Sequence, residues 1–328
     1  MTDITHRSIE TNGIRLHLAE KGSGPLVLLC HGFPESWYSW RHQIEALAAA
    51  GFHAVAPDMR GYGQTEAPEA IDQYTLLHLV GDMVGVIDAL GEETAVIAGH
   101  DWGAPVAWYT ALLRPDRFRG IIALSVPFRP RGKVRPTTVM PQTDAAVFYQ
   151  LYFQQPGVAE ADMEADPRAA LRGILLRLSG EYDKSERGAA DFAMIPRVGG
   201  LAAVTASAST SGAMALPAWL GEADLDFYAA EFARNGFRGA LNWYRNIDRN
   251  WELLAAMAGA RVSIPALFMA GSRDPVLAFP GAAEAVSGLA NLVPGLRAAT
   301  ILPGCGHWTQ QERAAEVNTA MLEFLRTL

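Results

Sequence analysis

Residues 94–103 read Thr94-Ala95-Val96-Ile97-Ala98-Gly99-His100-Asp101-Trp102-Gly103, an apolar, partly β-branched run that meets a glycine two places either side of an aspartate and then passes into helical spacing. The run predicts a strand over 94–98, followed by a helix. Asp101 then sits on the turn between them. Small residues at 99 and 103 let that turn be sharp, and the side chain at its centre projects over the sheet edge. An aspartate there reads either as a helix cap or as a nucleophile. A carboxylate is ionised at neutral pH and can displace a leaving group from saturated carbon, forming an alkyl ester without first losing a proton.

Further strand-like runs at 26–30, 53–57 and 121–125 alternate with helical segments at 40–50 and 75–90, which close on Gly51 and Gly91. Alternation of this kind predicts a parallel sheet covered by helices on both faces. Residues 7–10 and 15–19 flank Thr11-Asn12-Gly13 and predict an antiparallel hairpin at the edge. After about residue 128 the pattern changes. Residues 127–141 are rich in Pro and Arg, and the stretch to about 254 reads as helices and loops with hardly a strand. Within it 196–217, rich in Ala, Gly, Ser and Thr, is expected to be a mobile excursion, whereas 223–233 and 239–254 return to helical spacing. Strand-like runs resume at 265–271 and 297–302, and a helix is expected from about 311. The reading is an α/β core from 1–130 and 251–328, interrupted by a helical insert at 131–250.

The chain has 328 residues, 50% hydrophobic and 19% charged, so it can bury a large core. Lys+Arg total 27 against 35 Asp+Glu, a formal charge of −8; the local run Arg129, Arg131, Lys133, Arg135 is too small for a phosphate-binding face, and nucleic acid is excluded as a partner. Cys30 and Cys305 are too few for a disulfide framework, and residues 1–13 show no charged segment leading into an apolar run. A cytoplasmic protein is expected. No apolar run approaches the ~20 residues of a spanning helix, so no membrane span is expected. Lysine occurs only at 21, 133 and 184, while Arg and Ala are abundant, which suggests a bacterial source.

His31-Gly32-Phe33-Pro34 follows the run at 26–30 and can face the same crevice as Asp101. Read alone it is a tight turn, with a cis bond before Pro34 as one form. Read beside Asp101, the N–H groups of Phe33 and Trp102 become an oxyanion hole. Asp274 follows the run 265–271, and His307 follows the run ending at 302. Singly, each reads as a turn or surface residue. Jointly they complete the order nucleophile, acid, histidine. With a carboxylate nucleophile the histidine has no proton to remove in the first step, so its task is to deprotonate the water that cleaves the ester; Asp274 orients the ring. The eight histidines show no H-E-x-x-H spacing, and neither metal nor cofactor is expected.

With these residues in place, the sequence resembles the epoxide hydrolases of the α/β-hydrolase superfamily and looks like the hydrolase domain of the soluble epoxide hydrolases. The likeness runs through HGFPESWYSWR (31–41), DMRGYGQTEAP (58–68), GHDWG (99–103) and CGHWTQ (305–310). Inside the insert, FYQLYFQQPGVAEA (148–161) and GFRGALNWYRNIDRNW (236–251) resemble the lid segments that carry acid tyrosines. The resemblance implies an α/β-hydrolase fold, a mostly parallel central sheet flanked by helices with an inserted helical lid. It also implies Asp101 as nucleophile, His307 as base, Asp274 as its partner, and Tyr152 and Tyr244 as donors to the departing oxygen. An opened ring releases an alkoxide far more basic than a phenol of pKa ~10, so a neutral tyrosine can supply the proton. The implied partners are a small-molecule epoxide and water, the product a vicinal diol. A homo-oligomer is compatible with this reading.

Two rivals remain. A haloalkane or haloacid dehalogenase would share the Asp–His–Asp set, and haloalkane-specific members also the Trp after the nucleophile. Phe33 and the tyrosine segments count against the haloalkane form, and Trp102, where fluoroacetate dehalogenases place Arg, against the haloacid form. A non-catalytic ligand-binding homologue would keep the pocket without turnover. Residues 190–217 do not resemble the mammalian members, which leaves substrate preference open.

Overall fold

In the computed structural model, which describes residues 3–182, 193–210 and 215–328, Asn12 and Gly13 turn the chain between β1 (Thr5–Thr11) and β2 (Ile14–Lys21). Both take positive φ, 47° and 77°, as a two-residue hairpin turn requires. The chain continues through β3 (Leu26–Cys30), β4 (His53–Pro57), β5 (Ala95–His100) and β6 (Phe118–Leu124). After the insert come β9 (Ala266–Gly271) and β10 (Leu296–Leu302). These eight strands form one sheet in the order β1-β2-β4-β3-β5-β6-β9-β10. Pairing is antiparallel for β1–β2 and β2–β4 and parallel from β4 onward.

The central strands are mostly apolar because both faces are covered. Alternation along β3 divides them between two cores: Leu28 packs with Ile97, Trp108 and Phe268, and Leu29 with Val96, Ile122 and Met321. The crossover helix Leu76–Leu90 is delimited as its sequence dictates, by the Thr75 side chain accepting from the His78 N–H and by Gly91 at φ 73°.

The predicted strands fall where they were read, with shifted ends. β5 runs on to His100, paired with Leu124, and β6 starts at Phe118. Two expectations for the insert are corrected. It holds a small antiparallel sheet of β7 (Ala146–Phe148) and β8 (Met194–Pro196). Residues 200–210, expected as part of a mobile excursion, form a helix packed on Pro167–Leu178. Gly199 and Gly200, at φ 84° and 56°, turn the chain into it, and Leu201 and Val204 are buried on its inner side. Alanine and serine were read as loop residues, yet alanine is the strongest helix former once an apolar face has something to cover. Residues 211–214 of that expectation lie outside the described residues. Among the described residues no helix is long and apolar enough to cross a membrane.

Candidate active site

The turn after β5 is closed by near contacts that only glycine permits. A Cβ on Gly99 would stand 2.0 Å from the Gly103 carbonyl oxygen, and one on Gly103 would stand 2.0 Å from that of Cys30. Asp101 itself adopts φ 50°, the left-handed region that side chains rarely occupy, and helix Gly103–Leu113 starts two residues later. The carboxylate is thereby raised above the C-terminal edge of the sheet, where β3 runs beside β5.

The loop after β3 supplies the first partner. The Phe33 N–H donates to Asp101 Oδ1 at 2.8 Å, and the Phe33–Pro34 bond is cis. Beneath it the fully buried Glu35 carboxylate accepts from Gly32 N–H at 3.0 Å, from His100 Nδ1 at 2.8 Å and from the Gln310 amide at 2.9 Å. Trp102 is the N-cap residue of that helix, and its backbone N–H is among the first donors of a helix, which have no intrahelical partner.

The loops after β9 and β10 bring in the other two groups. Asp274 accepts from Val276 N–H at 2.9 Å, which fixes its carboxylate at the strand end. His307 Nδ1 lies 3.1 Å from each Asp274 oxygen, and its Nε2 lies 3.4 Å from Asp101 Oδ2. Burial alone would depress the His307 pKa, but the charges of Asp274 and Asp101 on either side raise it well above the usual imidazole value. Burial would likewise push both carboxylates up; the facing imidazole, with backbone donors, holds each below its ordinary range. The site rests as a carboxylate, an imidazolium and a second carboxylate.

Asp101 and His307 share a cavity of about 90 Å³, walled by apolar side chains of the insert such as Ile174, Leu201 and Val204. A second recess of about 160 Å³ also reaches Asp101, past Gln150 and Pro127. Tyr149 borders both spaces and Tyr244 the first. Their rings stand edge to face at 5.9 Å, and Tyr244 also meets Phe33 and Trp102 edge-on. Burial, then the charge of Asp101, raises both phenol pKa values, so both carry their protons at neutral pH.

The structure brings Asp101, His307, Asp274, Phe33, Trp102 and Tyr244 together, and it places Tyr152 elsewhere. The expectation that Tyr152 pairs with Tyr244 is corrected: the Tyr152 hydroxyl donates to Asp162 at 2.6 Å, and its ring lines neither space. Asp162 also accepts from Leu201 N–H at 2.7 Å, so Tyr152 belongs to the support of the helix behind the cavity wall. Burial and the Asp162 hydrogen bond raise its pKa to about 12. Both tyrosines stand in one turn, Tyr149–Tyr152, and the residue facing the cavity is the earlier one. The signal that could have separated them is the acidic stretch 160–166, which offers Tyr152 a local acceptor. Sequence reasoning also passed over Ser125, whose hydroxyl touches both Asp274 and His307.

A sheet with one aspartate raised after β5, a second after β9 and a histidine after β10 has the α/β-hydrolase arrangement, and residues 25–314 match the alpha/beta hydrolase fold family. The chain is 46% identical to epoxide hydrolase A of Mycobacterium tuberculosis, over 99% of this chain and 98% of that one. An epoxide hydrolase from an endophytic Streptomyces superposes with a TM-score of 0.92 at 48% identity, covering 98% and 95% of the two chains. The epoxide hydrolase VrEH1 of Vigna radiata superposes at 0.86 with 42% identity, covering 99% of each. The chain belongs to the epoxide hydrolase family.

Proposed function

We propose that the protein converts an epoxide and water to a vicinal diol through an alkyl ester on Asp101. The observation that carries this reading is the placement of one carboxylate against two protonated phenols on one side and a histidine–aspartate pair on the other. Asp101 Oδ1 is held by Phe33 N–H, which leaves Oδ2 to attack a ring carbon. As that C–O bond breaks, the phenols of Tyr149 and Tyr244 face the oxygen, and one gives it a proton. Their acidity rises at the same moment, because attack converts Asp101 to a neutral ester and removes the charge that had raised their pKa.

Loss of the Asp101 charge also lowers the His307 pKa, so the imidazolium passes its Nε2 proton to the tyrosinate and becomes a base. Nε2 takes a proton from water, the hydroxide adds to Cγ of the ester, and the oxyanion formed on Oδ1 is held by the N–H groups of Phe33 and Trp102. Collapse expels the diol alkoxide, which takes the proton of the new carboxylic acid, and leaves Asp101 as a carboxylate and His307 as an imidazolium, as at rest. No cofactor enters this sequence. Residues 131–250 act as a lid on the core formed by 1–130 and 251–328. A cytoplasmic location and a bacterial source belong to the same reading; the two cysteines, both free and buried, and the scarcity of lysine support it.

A single turnover of styrene oxide in heavy-oxygen water with excess enzyme tests the route. The first diol should carry an unlabelled oxygen from Asp101, and the label should appear in the peptide containing Asp101. Label in the diol from the first turnover defeats the ester route; halide release from chlorinated or fluorinated substrates, with no diol from styrene oxide, favours dehalogenation.

A further inference from the structure

Ser125 leaves β6 at the point where the strand ends beneath the triad. Its N–H donates to the Met269 carbonyl at 2.8 Å, its side chain is fully buried, and its φ is 73°. A non-glycine residue persists in that conformation only where its surroundings hold it there. The hydroxyl has one proton to give and lone pairs to accept with. It donates to Asp274 Oδ2 and lies 2.8 Å from His307 Nδ1, nearer than the 3.1 Å of either Asp274 oxygen. With its own proton committed to the carboxylate, Oγ accepts the Nδ1–H. The three groups close a ring in which the Nδ1 proton is shared between a hydroxyl and a carboxylate.

We infer that Ser125 is a positioning residue for the second half of the reaction. It fixes His307 as the Nδ1–H tautomer with Nε2 turned toward Asp101, and it steadies Asp274 while the imidazolium forms. The inference rests on the reading of Asp101, His307 and Asp274 given above. Ester formation needs no base, whereas ester hydrolysis does, so the effect of Ser125 falls on hydrolysis alone.

Two variants test this. Ser125→Gly removes the hydroxyl and suits the positive φ, so the fold should keep or raise its Tm. Ser125→Asn keeps a donor and an acceptor on a residue that tolerates the left-handed region. With excess enzyme and styrene oxide, intact-protein mass should show the ester forming within about twofold of the wild-type rate in Ser125→Gly and decaying about tenfold more slowly. Ser125→Asn should restore decay to within about threefold of wild type. Unchanged ester decay in Ser125→Gly, an equal fall in both half-reactions together with Tm, or equal loss in the two variants overturns the inference. A wild-type protein that yields diol with no ester defeats the underlying reading instead.

Discussion

His307 Nε2 stands 3.4 Å from Asp101 Oδ2 while Nδ1 of the same ring stands 3.1 Å from both oxygens of Asp274, so one imidazole is bracketed by two carboxylates. Burial lowers its pKa, and the flanking charges more than reverse this, to a value well above the usual one. Neutralising Asp101 removes one of the two charges. Asp101→Asn imitates the ester in this respect, and the His307 pKa should be lower in that variant than in the wild type, as followed by NMR titration of the ring protons. Identical titrations would remove the electrostatic account of how the base is released. The sign for stability follows from the same shift. The folded pKa lies above the unfolded ~6.5, so the contribution is fully present below that pH and is lost as pH rises through the folded value.

Replacing His307 by Gln should separate the half-reactions. Alkylation of Asp101 needs the carboxylate and the phenols but no base, so the ester should form and persist. Turnover should fall by about 10²–10⁴, with a stable mass increase equal to one substrate. Absence of that adduct, with substrate still consumed, would argue for direct attack by water.

The tyrosines give a sharp comparison. Tyr149→Phe and Tyr244→Phe each leave one phenol over Asp101, and each should slow ester formation by up to about 10², while the double variant should lose it almost wholly. Tyr152→Phe removes the bond to Asp162 at 2.6 Å and so loosens the hold on Leu201. Its ester formation should stay within about threefold of wild type, with a stability loss of about 1 kcal/mol in urea. A collapse of ester formation in Tyr152→Phe, with Tyr149→Phe unaffected, would reverse the assignment.

The frame was legible because its signals are local and chemically narrow. Gly99, Asp101 and Gly103 specify a turn by sterics alone, and the runs around Leu28, Ile97 and Phe268 are apolar throughout because both sheet faces are covered. Direction within the insert was less legible. Tyr149 and Tyr152 lie three residues apart in one short turn, so spacing puts both near the same face, and the choice depends on Asp162 reaching one of them. Ser125 carried no sequence signal, since a serine after a strand is ordinary; its role follows from a φ of 73° and from two groups 149 and 182 residues downstream. The helix at 200–210 was not legible because a run of small residues suits a loop as well as a helix until an apolar face has something to cover.

Glu35 is the carboxylate on which the loop carrying Gly32 and Phe33 rests. Oε2 accepts from Gly32 N–H and His100, Oε1 from the side-chain amides of Gln310 and Gln311, and His100 reaches on to the His307 carbonyl at 2.8 Å. Full burial raises its pKa, but the facing His100 and the backbone donor outweigh this and leave it below the ordinary glutamate value. A lowered folded pKa means that the stability contributed is present above the unfolded ~4.3 and is lost as pH falls through the folded value. Glu35→Gln should therefore flatten the acid limb of the stability curve. Glu35→Ala, which leaves several buried donors without an acceptor, should cost about 3–5 kcal/mol in urea unfolding. Because Gly32 adjoins Phe33, surviving Glu35→Gln protein should also hydrolyse its ester more slowly than it forms it. An acid limb in Glu35→Gln identical to wild type would show that the carboxylate's charge contributes nothing to holding this loop beneath Asp101.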